Sequence, residues 1–387
     1  MSIELRPTDA DDPEELRAAL GRALDGGPAL GFGMVGGEPE SVPDGTAVVI
    51  ATSGSTGIPK RVVLSGEALR AGAEATAARI GAGRWLLALP ASYVAGLQVL
   101  VRSLLAGTEP AVLEQRFSAD AFAMATLSML RPTAGSGGGI PELYTSLVPA
   151  QLATLLGAAD SDAVRSSLCA YRAILVGGQA LPEPLRERAA ELGVRLVRTY
   201  GSSETSGGCV YDGVPLDTAA VKAVDGELRI AGPMLADGYL GDPELTARVF
   251  ERDEHGIRWY RTGDLGLVED GIVRVHGRAD NVIVSGGINI SLDRVERIVR
   301  RVPGLTDAVV IPVADARWGE ASVIVAPRGE ALRRSEAEQL AHARDAVAEE
   351  LGKPARPARL ILVDELDTLP SGKPDREAIR RAVAELH

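Results

Sequence analysis

Thr-Ser-Gly-Ser-Thr-Gly-Ile-Pro-Lys, residues 52–60, is the stretch around which this chain is organised. An apolar run at 47–51 precedes it and another begins at Val62, so the stretch is predicted to be a tight loop between two strands. Glycines at 54 and 57 permit positive φ and close approach of an anion, and four hydroxyls with successive backbone N–H groups can surround phosphate oxygens. The glycine spacing and Pro59 do not fit the Walker A motif. From composition alone, a phosphate loop and a Gly/Ser-rich surface turn are equal alternatives.

The bulk composition excludes several classes of function. A net charge of −12 over 387 residues argues against nucleic acid as a partner and against a basic membrane-binding face. The N-terminus lacks a signal-peptide pattern and no apolar run is long enough to span a bilayer, so a cytoplasmic protein without stable membrane insertion is predicted. Cys169 and Cys209 are predicted to be reduced thiols, and the four histidines are not spaced to bind zinc.

Helices and strands alternate through the first half of the chain. The predicted helices are 13–24, 66–80, 97–105, 118–130, one starting at Pro149, and 182–192; the predicted strands are 85–89, 110–113, 144–148, 172–176 and 194–199. The Gly/Pro-rich stretch 26–45 is predicted to be a surface loop. This alternation predicts a parallel or mixed sheet covered on both faces, with ligands bound beyond the carboxyl ends of its strands.

The pattern changes twice further along the chain. Short β runs separated by glycine-containing turns occupy 219–279 and predict a small antiparallel subdomain. After Asp280, helices at 292–301, 331–351 and 376–386 and strands at 308–313, 321–326 and 361–363 predict a compact α+β unit. The predicted fold is therefore α/β and multi-domain, with an N-terminal domain at 1–279 that includes the 219–279 subdomain, and a C-terminal domain at 280–387.

Further motifs follow in order. They are Tyr-Gly-Ser-Ser-Glu (200–204), Gly-Glu-Leu-Arg-Ile-Ala-Gly (226–232), Tyr-Arg-Thr-Gly-Asp (260–264), Gly-Arg-Ala-Asp (277–280), Ser-Gly-Gly-Ile-Asn-Ile (285–290) and Pro-Ser-Gly-Lys-Pro-Asp-Arg (370–376). Together with residues 52–60 they resemble, over nearly the whole chain, the motifs of the acyl-adenylate-forming superfamily. The resemblance implies an enzyme that activates a carboxylic acid with ATP, releases pyrophosphate, and transfers the acyl group to CoA.

The resemblance also implies roles for individual residues. The nucleotide would be bound by Thr52, Ser53, Gly54, Ser55, Thr56, Gly57, Lys60, Gly177, Gly178, Gln179, Tyr200, Gly201, Ser202, Ser203, Asp264, Arg278 and Lys373. Within that set, Tyr200 would stack on the adenine and Asp264 would accept both ribose hydroxyls. Glu204 would hold Mg²⁺, leaving the other positions of the ion to phosphates and water. Lys60, Glu204 and Lys373 form the predicted catalytic set. Two repelling anions must be held together in the transition state, and the two lysines and the Mg²⁺ on Glu204 would supply the positive charge.

The C-terminal domain is implied to be mobile. Lys373 would bridge the α-phosphate and the substrate carboxylate, and would leave when the domain turns about a hinge at Asp280. Ser285, Gly286 and Gly287 would then line the channel for the pantetheine arm, since glycines let a thiol on a thin arm pass close to the backbone.

The choice of carboxylic acid substrate is narrowed by residues 89–102, Leu-Pro-Ala-Ser-Tyr-Val-Ala-Gly-Leu-Gln-Val-Leu-Val-Arg. This segment, residues 145–152 and 200–216, and the short chain resemble the o-succinylbenzoate–CoA ligases of menaquinone biosynthesis in actinobacteria. Their substrate carries two carboxylates, and the one that is not activated needs a cation. Arg102, a single charge in an apolar helix, is the candidate; from the residues alone, a side chain that extends to the surface is an equal alternative. The resemblance implies that Tyr93 would stand at the mouth of the acid pocket, where many relatives have histidine.

Other members of the superfamily remain alternatives, namely a different aryl- or acyl-CoA ligase, or a stand-alone adenylation domain that loads a carrier protein. A non-catalytic nucleotide-binding protein is disfavoured because Lys60, Glu204, Asp264, Arg278 and Lys373 are all present. The small-molecule partners implied are ATP, Mg²⁺, CoA and an aromatic carboxylic acid. A homodimer is only the common default.

Overall fold

The computed structural model describes residues 2–8, 12–33, 41–52, 60–113, 116–130, 142–285, 287–315, 318–328, 335–369 and 372–385. Within these ranges the chain forms four β-sheets with helices packed on them, as expected for the predicted α/β class. Two larger sheets lie in the first part of the chain, an antiparallel sheet follows, and a fourth sheet lies beyond residue 280.

The first sheet is mixed. Its strands, in spatial order, are Gly238–Tyr239, Lys60–Ser65, Thr46–Thr52, Ala29–Phe32, Ser2–Pro7 and Ser41–Pro43. The two strands on either side of the predicted phosphate loop are antiparallel neighbours. The prediction that 26–45 is a surface loop is wrong, because Ala29–Phe32 is an interior strand of this sheet and its ends are 0% and 1% exposed. Four residues bounded by glycine and proline are too few to give a periodic signal.

The second sheet has the predicted parallel core covered on both faces. Its strands, in spatial order, are Val214–Pro215, Gly207–Tyr211, Leu196–Ser202, Tyr171–Val176, Leu143–Leu147, Arg84–Leu87 and Ala111–Val112. One face shares a buried core with the first sheet and with helices Pro13–Leu24, Gly66–Ile80 and Val94–Leu105. The other face packs against helices Ala119–Met129, Pro149–Gly157, Asp162–Ala170 and Glu183–Glu191. The carboxyl ends of the parallel strands therefore meet at one edge.

The third sheet is antiparallel, as the β runs after residue 219 predict. Its strands are Ala220–Val224, Glu227–Ala231, Phe250–Arg252, Arg258–Glu269 and Ile272–Arg278, and helix Pro243–Val249 lies between two of them in the chain. Strand Arg258–Glu269 is continuous, with an irregularity in its pairing at Leu265/Gly266, and is longer than the short β runs predicted for 219–279. Asp264 consequently lies within a strand, directly opposite Arg278.

The fourth sheet contains strands Val282–Ser285, Ile288–Ser291, Val309–Asp315, Gly319–Pro327 and Arg359–Val363. Helices Leu292–Val299 and Glu336–Leu351 pack on one face of it, and helix Arg376–Glu385 packs on the other. Short 3-10 turns occur at Ser203–Thr205 and Lys353–Ala355. Below, the small domain means residues 280–387.

Candidate active site

The ends of the predicted phosphate loop are fixed by strand pairing. Thr52 lies opposite Lys60, and its hydroxyl donates a hydrogen bond to the Lys60 carbonyl at 3.3 Å. Lys60 Nζ lies 5.8 Å from the ring centre of Tyr239. The loop residues between the two strands lie outside the described residues; they are Ser53, Gly54, Ser55, Thr56, Gly57, Ile58 and Pro59.

Glu204 is buried where the first and second sheets meet. It lies in the 3-10 turn that follows strand Leu196–Ser202, and only 9% of it is exposed. The turn is stabilised from within, since Thr205 Oγ1 accepts from the Ser202 backbone N at 2.8 Å and donates to the Gly207 carbonyl at 2.7 Å. Tyr239 of the first sheet donates its hydroxyl to Glu204 Oε1 at 2.9 Å. One carboxylate oxygen is thus oriented by a buried tyrosine.

Sequence reasoning missed Tyr239. Burial, with the nearby Glu204 carboxylate, raises the pKa of its hydroxyl, which therefore stays a proton donor. Its strand is only two residues long, Gly238–Tyr239, and it pairs with the strand that follows the phosphate loop. No local pattern connects this tyrosine to a glutamate 35 positions earlier.

The predicted ribose site brings together Tyr200, Asp264 and Arg278. The Tyr200 hydroxyl donates to Asp264 Oδ2 at 2.7 Å, and Arg278 Nη1 donates to Asp264 Oδ1 at 3.3 Å. Burial raises the pKa of the Asp264 carboxyl, although these two donors oppose the effect. Arg278 also donates two hydrogen bonds to Asp280, at 2.9 and 3.1 Å, and these bonds raise the pKa of its guanidinium.

Lys373 of the small domain lies against the predicted glycine wall. A Cβ placed on Gly178 would be 3.1 Å from Lys373 Cε, and one placed on Gly372 would be 3.0 Å from Val148 Cγ2. Gly178 and Gly372 have φ of +83° and +75°, so these close approaches occur at backbone conformations that favour glycine. Packing around the amine lowers the pKa of Lys373, an effect limited by the solvent exposure of its side chain.

The turn that carries Lys373 is closed by its own backbone. Leu369 N donates to the Lys373 carbonyl at 2.8 Å, and Gly372 N donates to the Leu369 carbonyl at 2.8 Å. The motif residues Pro370 and Ser371 lie outside the described residues. Residues 177–179 and 200–203 all lie at the carboxyl edge of the second sheet. The structure therefore brings a lysine from near the end of the chain to that edge.

Arg102 is buried, so it does not extend to the surface. Only 7% of it is exposed, and its guanidinium carbon lies 4.9 Å from the ring centre of Trp85. Burial lowers the pKa of this guanidinium. Within the described ranges its Nε has no hydrogen-bond partner, and no carboxylate there forms an ion pair with it. A buried cation without a counter-ion is costly in the unliganded protein and is suited to an anionic ligand.

The same helix carries a second polar side chain that sequence reasoning missed. Val94, Gln98 and Arg102 are four residues apart, and a Cβ placed on Gly207 would lie 3.4 Å from Gln98 Cγ and 3.9 Å from Val94 Cγ2. Gln98 Oε1 and Ser206 Oγ are buried without a hydrogen-bond partner within the described part of the chain. The spacing of Gln98 and Arg102 in an apolar helix was the available signal. Tyr93 precedes this helix and is half-buried.

The predicted pantetheine turn lies at one end of the fourth sheet. Ser285 is 8% exposed and pairs with both Ile288 and Gly319. Gly287 has φ +82°, and a Cβ placed there would meet no heavy atom of the described residues within 4 Å. Gly286 lies outside the described residues.

The described ranges contain neither a cluster of metal-binding side chains nor a helix that could cross a membrane. No group of three or more His, Cys, Asp and Glu side chains there could enclose a metal ion, and no helix there is long and apolar enough to cross a bilayer. Cys169 and Cys209 are free thiols. Glu204 is compatible with a single Mg²⁺ contact, because Tyr239 holds Oε1 and no described residue forms a hydrogen bond with Oε2.

Two family profiles match this chain. The profile of the AMP-binding enzymes matches residues 7–240, and that of the AMP-binding enzyme C-terminal domain matches residues 294–373. A probable 2-succinylbenzoate–CoA ligase of Mycobacterium tuberculosis is 40% identical over 352 residues, which are 89% of this chain and 86% of the relative. The 2-succinylbenzoate–CoA ligase of Escherichia coli is 32% identical over 285 residues, which are 71% of this chain and 57% of that enzyme.

Solved structures of similar fold include two MenE proteins. MenE from Bacillus subtilis, in complex with the acyl-adenylate intermediate OSB-AMP, is 28% identical with a TM-score of 0.71, covering 89% of this chain and 71% of its own. A variant of Escherichia coli MenE with bound OSB-AMS is 26% identical with a TM-score of 0.69, covering 90% of this chain and 71% of its own.

Proposed function

We propose that this chain, which belongs to the AMP-binding enzyme family, is an AMP-forming ligase. It joins 2-succinylbenzoate (o-succinylbenzoate) to CoA, in menaquinone biosynthesis. The similarity to 2-succinylbenzoate–CoA ligases extends over most of the chain. The observation in the structure that carries the choice of acid is Arg102, a buried cation without a carboxylate partner in the described ranges.

The reaction has two steps. A carboxylate oxygen of the acid attacks the α-phosphorus of ATP, the bond to the β-phosphate bridging oxygen breaks, and pyrophosphate leaves. The CoA sulfur then attacks the acyl carbon, AMP leaves, and the thiol proton passes to solvent. In the first step two anions must be held together, so fixed positive charge contributes most of the stabilisation. Lys373 beside Gly178 supplies that charge between the α-phosphate and the acid.

The nucleotide is bound at the carboxyl edge of the second sheet. Tyr200 stacks on the adenine, with the 177–179 segment as the opposite wall, and residues 52–60 hold the phosphates together with Ser202 and Ser203. Asp264 accepts the ribose hydroxyls; its two oxygens provide about four acceptor sites, so it can do this while it keeps the bonds from Tyr200 and Arg278.

Glu204 is the proposed Mg²⁺ ligand. One oxygen of its buried carboxylate is held by Tyr239, and the other has no hydrogen-bond partner among the described residues. A single carboxylate, with phosphates and water completing the shell, is how Mg²⁺ is commonly bound in nucleotide-dependent enzymes. The ion would neutralise phosphate charge. Tyr239 fixes the direction in which Glu204 presents its free oxygen.

The acid enters along the helix that carries Gln98 and Arg102. Arg102 binds the carboxylate that is not activated, and its planar guanidinium suits this task better than an ammonium group. The Trp85 ring holds the guanidinium from one face. Tyr93, at the start of the helix, forms the mouth of the pocket.

The domains proposed are 1–279, which includes the β-rich 219–279 subdomain, and 280–387, which turns about Asp280. In the present orientation Lys373 lies beside Gly178, which supports a role for this lysine at the proposed nucleotide site. After the adenylate has formed, the small domain would present Ser285, Gly286 and Gly287 to the pantetheine arm. A cytoplasmic location suits the two free thiols, and a homodimer remains a prediction.

The activity is tested with purified protein, ATP, Mg²⁺, CoA and a panel of acids. The panel contains 2-succinylbenzoate, 4-oxo-4-phenylbutanoate, which lacks the ring carboxylate, and benzoate. We expect the CoA thioester by mass spectrometry with 2-succinylbenzoate as the preferred acid. Adenylate without thioester would instead indicate a carrier-protein adenylation domain, and preference for another acid would indicate a different ligase.

A further inference from the structure

Hydrogen bonds cross the hinge at residue 280. Asp293, in the first turn of helix Leu292–Val299, accepts a hydrogen bond from the Arg278 backbone N at 2.7 Å. Its other oxygen accepts from Asn281 Nδ2 at 2.7 Å. One turn later, Arg297 Nη2 donates to the carbonyls of Val275 and His276, at 3.1 and 3.0 Å. The first part of the chain and the small domain are thus joined by specific polar contacts.

These contacts depend on the orientation of the small domain. A rotation about Asp280 carries the helix away from strand Ile272–Arg278, so the bonds from Asp293 to Arg278 and from Arg297 must break. The bond from Asn281 lies within the small domain and can survive the rotation. The approach is also sterically close: Gly277 has φ +147°, and a Cβ there would lie 2.6 Å from Asp293 Cβ.

Arg278 connects this contact to the nucleotide site. Its backbone N is held by Asp293, while its side chain donates to Asp264 and to Asp280. Arg278 therefore forms hydrogen bonds with three carboxylates, those of Asp264, Asp280 and Asp293. A change at the ribose site can be transmitted through that residue to the contact between the domains.

We propose that Asp293 and Arg297 form a latch across the hinge that holds the small domain in the orientation in which Lys373 lies beside Gly178. They are positioning residues, since they act through the placement of Lys373. The inference rests on the proposed function, because it concerns the two half-reactions of that ligase.

The latch is tested by separating the half-reactions in Asp293→Ala and Arg297→Ala. The control is Arg294→Ala, an exposed arginine on the same helix. ATP–pyrophosphate exchange with 2-succinylbenzoate measures adenylation, and release of AMP from preformed acyl-adenylate measures transfer to CoA. Asp293→Ala removes one hydrogen bond to a charged group across the hinge and Arg297→Ala removes two, so each should lower the ratio of adenylation to transfer by about tenfold or more. The control should keep the wild-type ratio. Equal losses in both half-reactions would show a general structural role and overturn the latch.

Hydrogen exchange provides a second readout that does not need activity. Asp293→Ala should speed exchange of the segment 275–281, which contains the Arg278 N–H. Asp293→Asn keeps one acceptor oxygen and should restore part of the protection, and it carries the test if the alanine variant does not fold. Unchanged exchange in Asp293→Ala would refute the latch. If wild-type protein performs neither half-reaction with 2-succinylbenzoate, the proposed substrate fails, while the exchange experiment still decides the latch.

Discussion

Replacing Arg102 should separate acid recognition from folding. We expect Arg102→Met to lose kcat/KM for 2-succinylbenzoate and to change little with 4-oxo-4-phenylbutanoate, which lacks the ring carboxylate. The reason is that a charge-assisted pair contributes only when both members are present. Methionine keeps an apolar stem of similar length against Trp85, so the comparison removes the charge with little loss of packing.

The expected magnitude follows from the burial of the pair. Arg102 is 7% exposed and no described carboxylate pairs with it, so a bound carboxylate would be its main ionic partner. Truncating one member of a buried charged pair costs about 2–5 kcal/mol. At about 1.4 kcal/mol for each factor of ten, this is a loss of about thirtyfold to a few thousandfold in kcat/KM. The acid without the ring carboxylate should change by less than about fivefold.

The assay measures kcat/KM for both acids at saturating ATP and CoA, in wild type and variant. The double comparison isolates the coupling between Arg102 and the ring carboxylate. Thermal unfolding without ligand is the control for folding. Because an unpaired buried cation is costly, the midpoint for Arg102→Met should equal or exceed that of wild type. Adding 2-succinylbenzoate should then stabilise wild type more than the variant.

Two results would refute this reasoning. A similar loss of kcat/KM with both acids would show that Arg102 has a structural role and does not bind the ring carboxylate. A large drop in the unfolding midpoint of Arg102→Met would show that the guanidinium stabilises the unliganded fold through contacts other than an ion pair.

Lys373→Ala should lower adenylate formation by about 10²–10³ and spare transfer of a preformed adenylate to CoA, as measured by pyrophosphate exchange and AMP release; equal effects on both steps would contradict its proposed role. Gly287→Leu should do the reverse, because bulk in the pantetheine channel blocks thioester formation but not pyrophosphate release; survival of both steps would remove this turn from the channel. Burial raises the pKa of Cys209 to about 12, so at pH 8 only one of the two cysteines should react with a thiol reagent before denaturation. The protonated thiol is favoured in the folded state, so its contribution to stability is present below the ordinary thiol pKa and is lost as the pH rises towards 12.

Local patterns in the sequence were sufficient for much of the fold. The strand before residue 52 and the strand after Lys60 were predicted from apolar runs, and helix Gly66–Ile80 was predicted with the bounds that the structure has. The division into alternating, antiparallel and α+β segments also followed from the spacing of these runs. Such features are set by residues close in sequence, where periodicity and capping chemistry carry the information.

The interior strand Ala29–Phe32 shows where this reasoning failed. It has four residues, and the surrounding glycines and prolines are typical of a loop. Its position is decided by pairing with Thr46–Thr52 and Ser2–Pro7, which lie on either side of it in the first sheet. Burial from neighbouring strands outweighs a weak local preference.

Some residues of the candidate site were likewise predicted from the sequence, whereas others were decided only by tertiary packing. The resemblance of the ordered motifs marked Lys60, Glu204, Asp264 and Lys373, because each of these residues stands in a short stretch of adjacent motif residues. Sequence alone left Arg102 equally divided between surface and interior, and only packing against Trp85 decided that it is buried. The Tyr239 hydrogen bond to Glu204, and the contacts of Asp293 with the strand before the hinge, likewise join segments far apart in the chain. Distances of this kind depend on how sheets and domains pack together, which no local periodicity encodes.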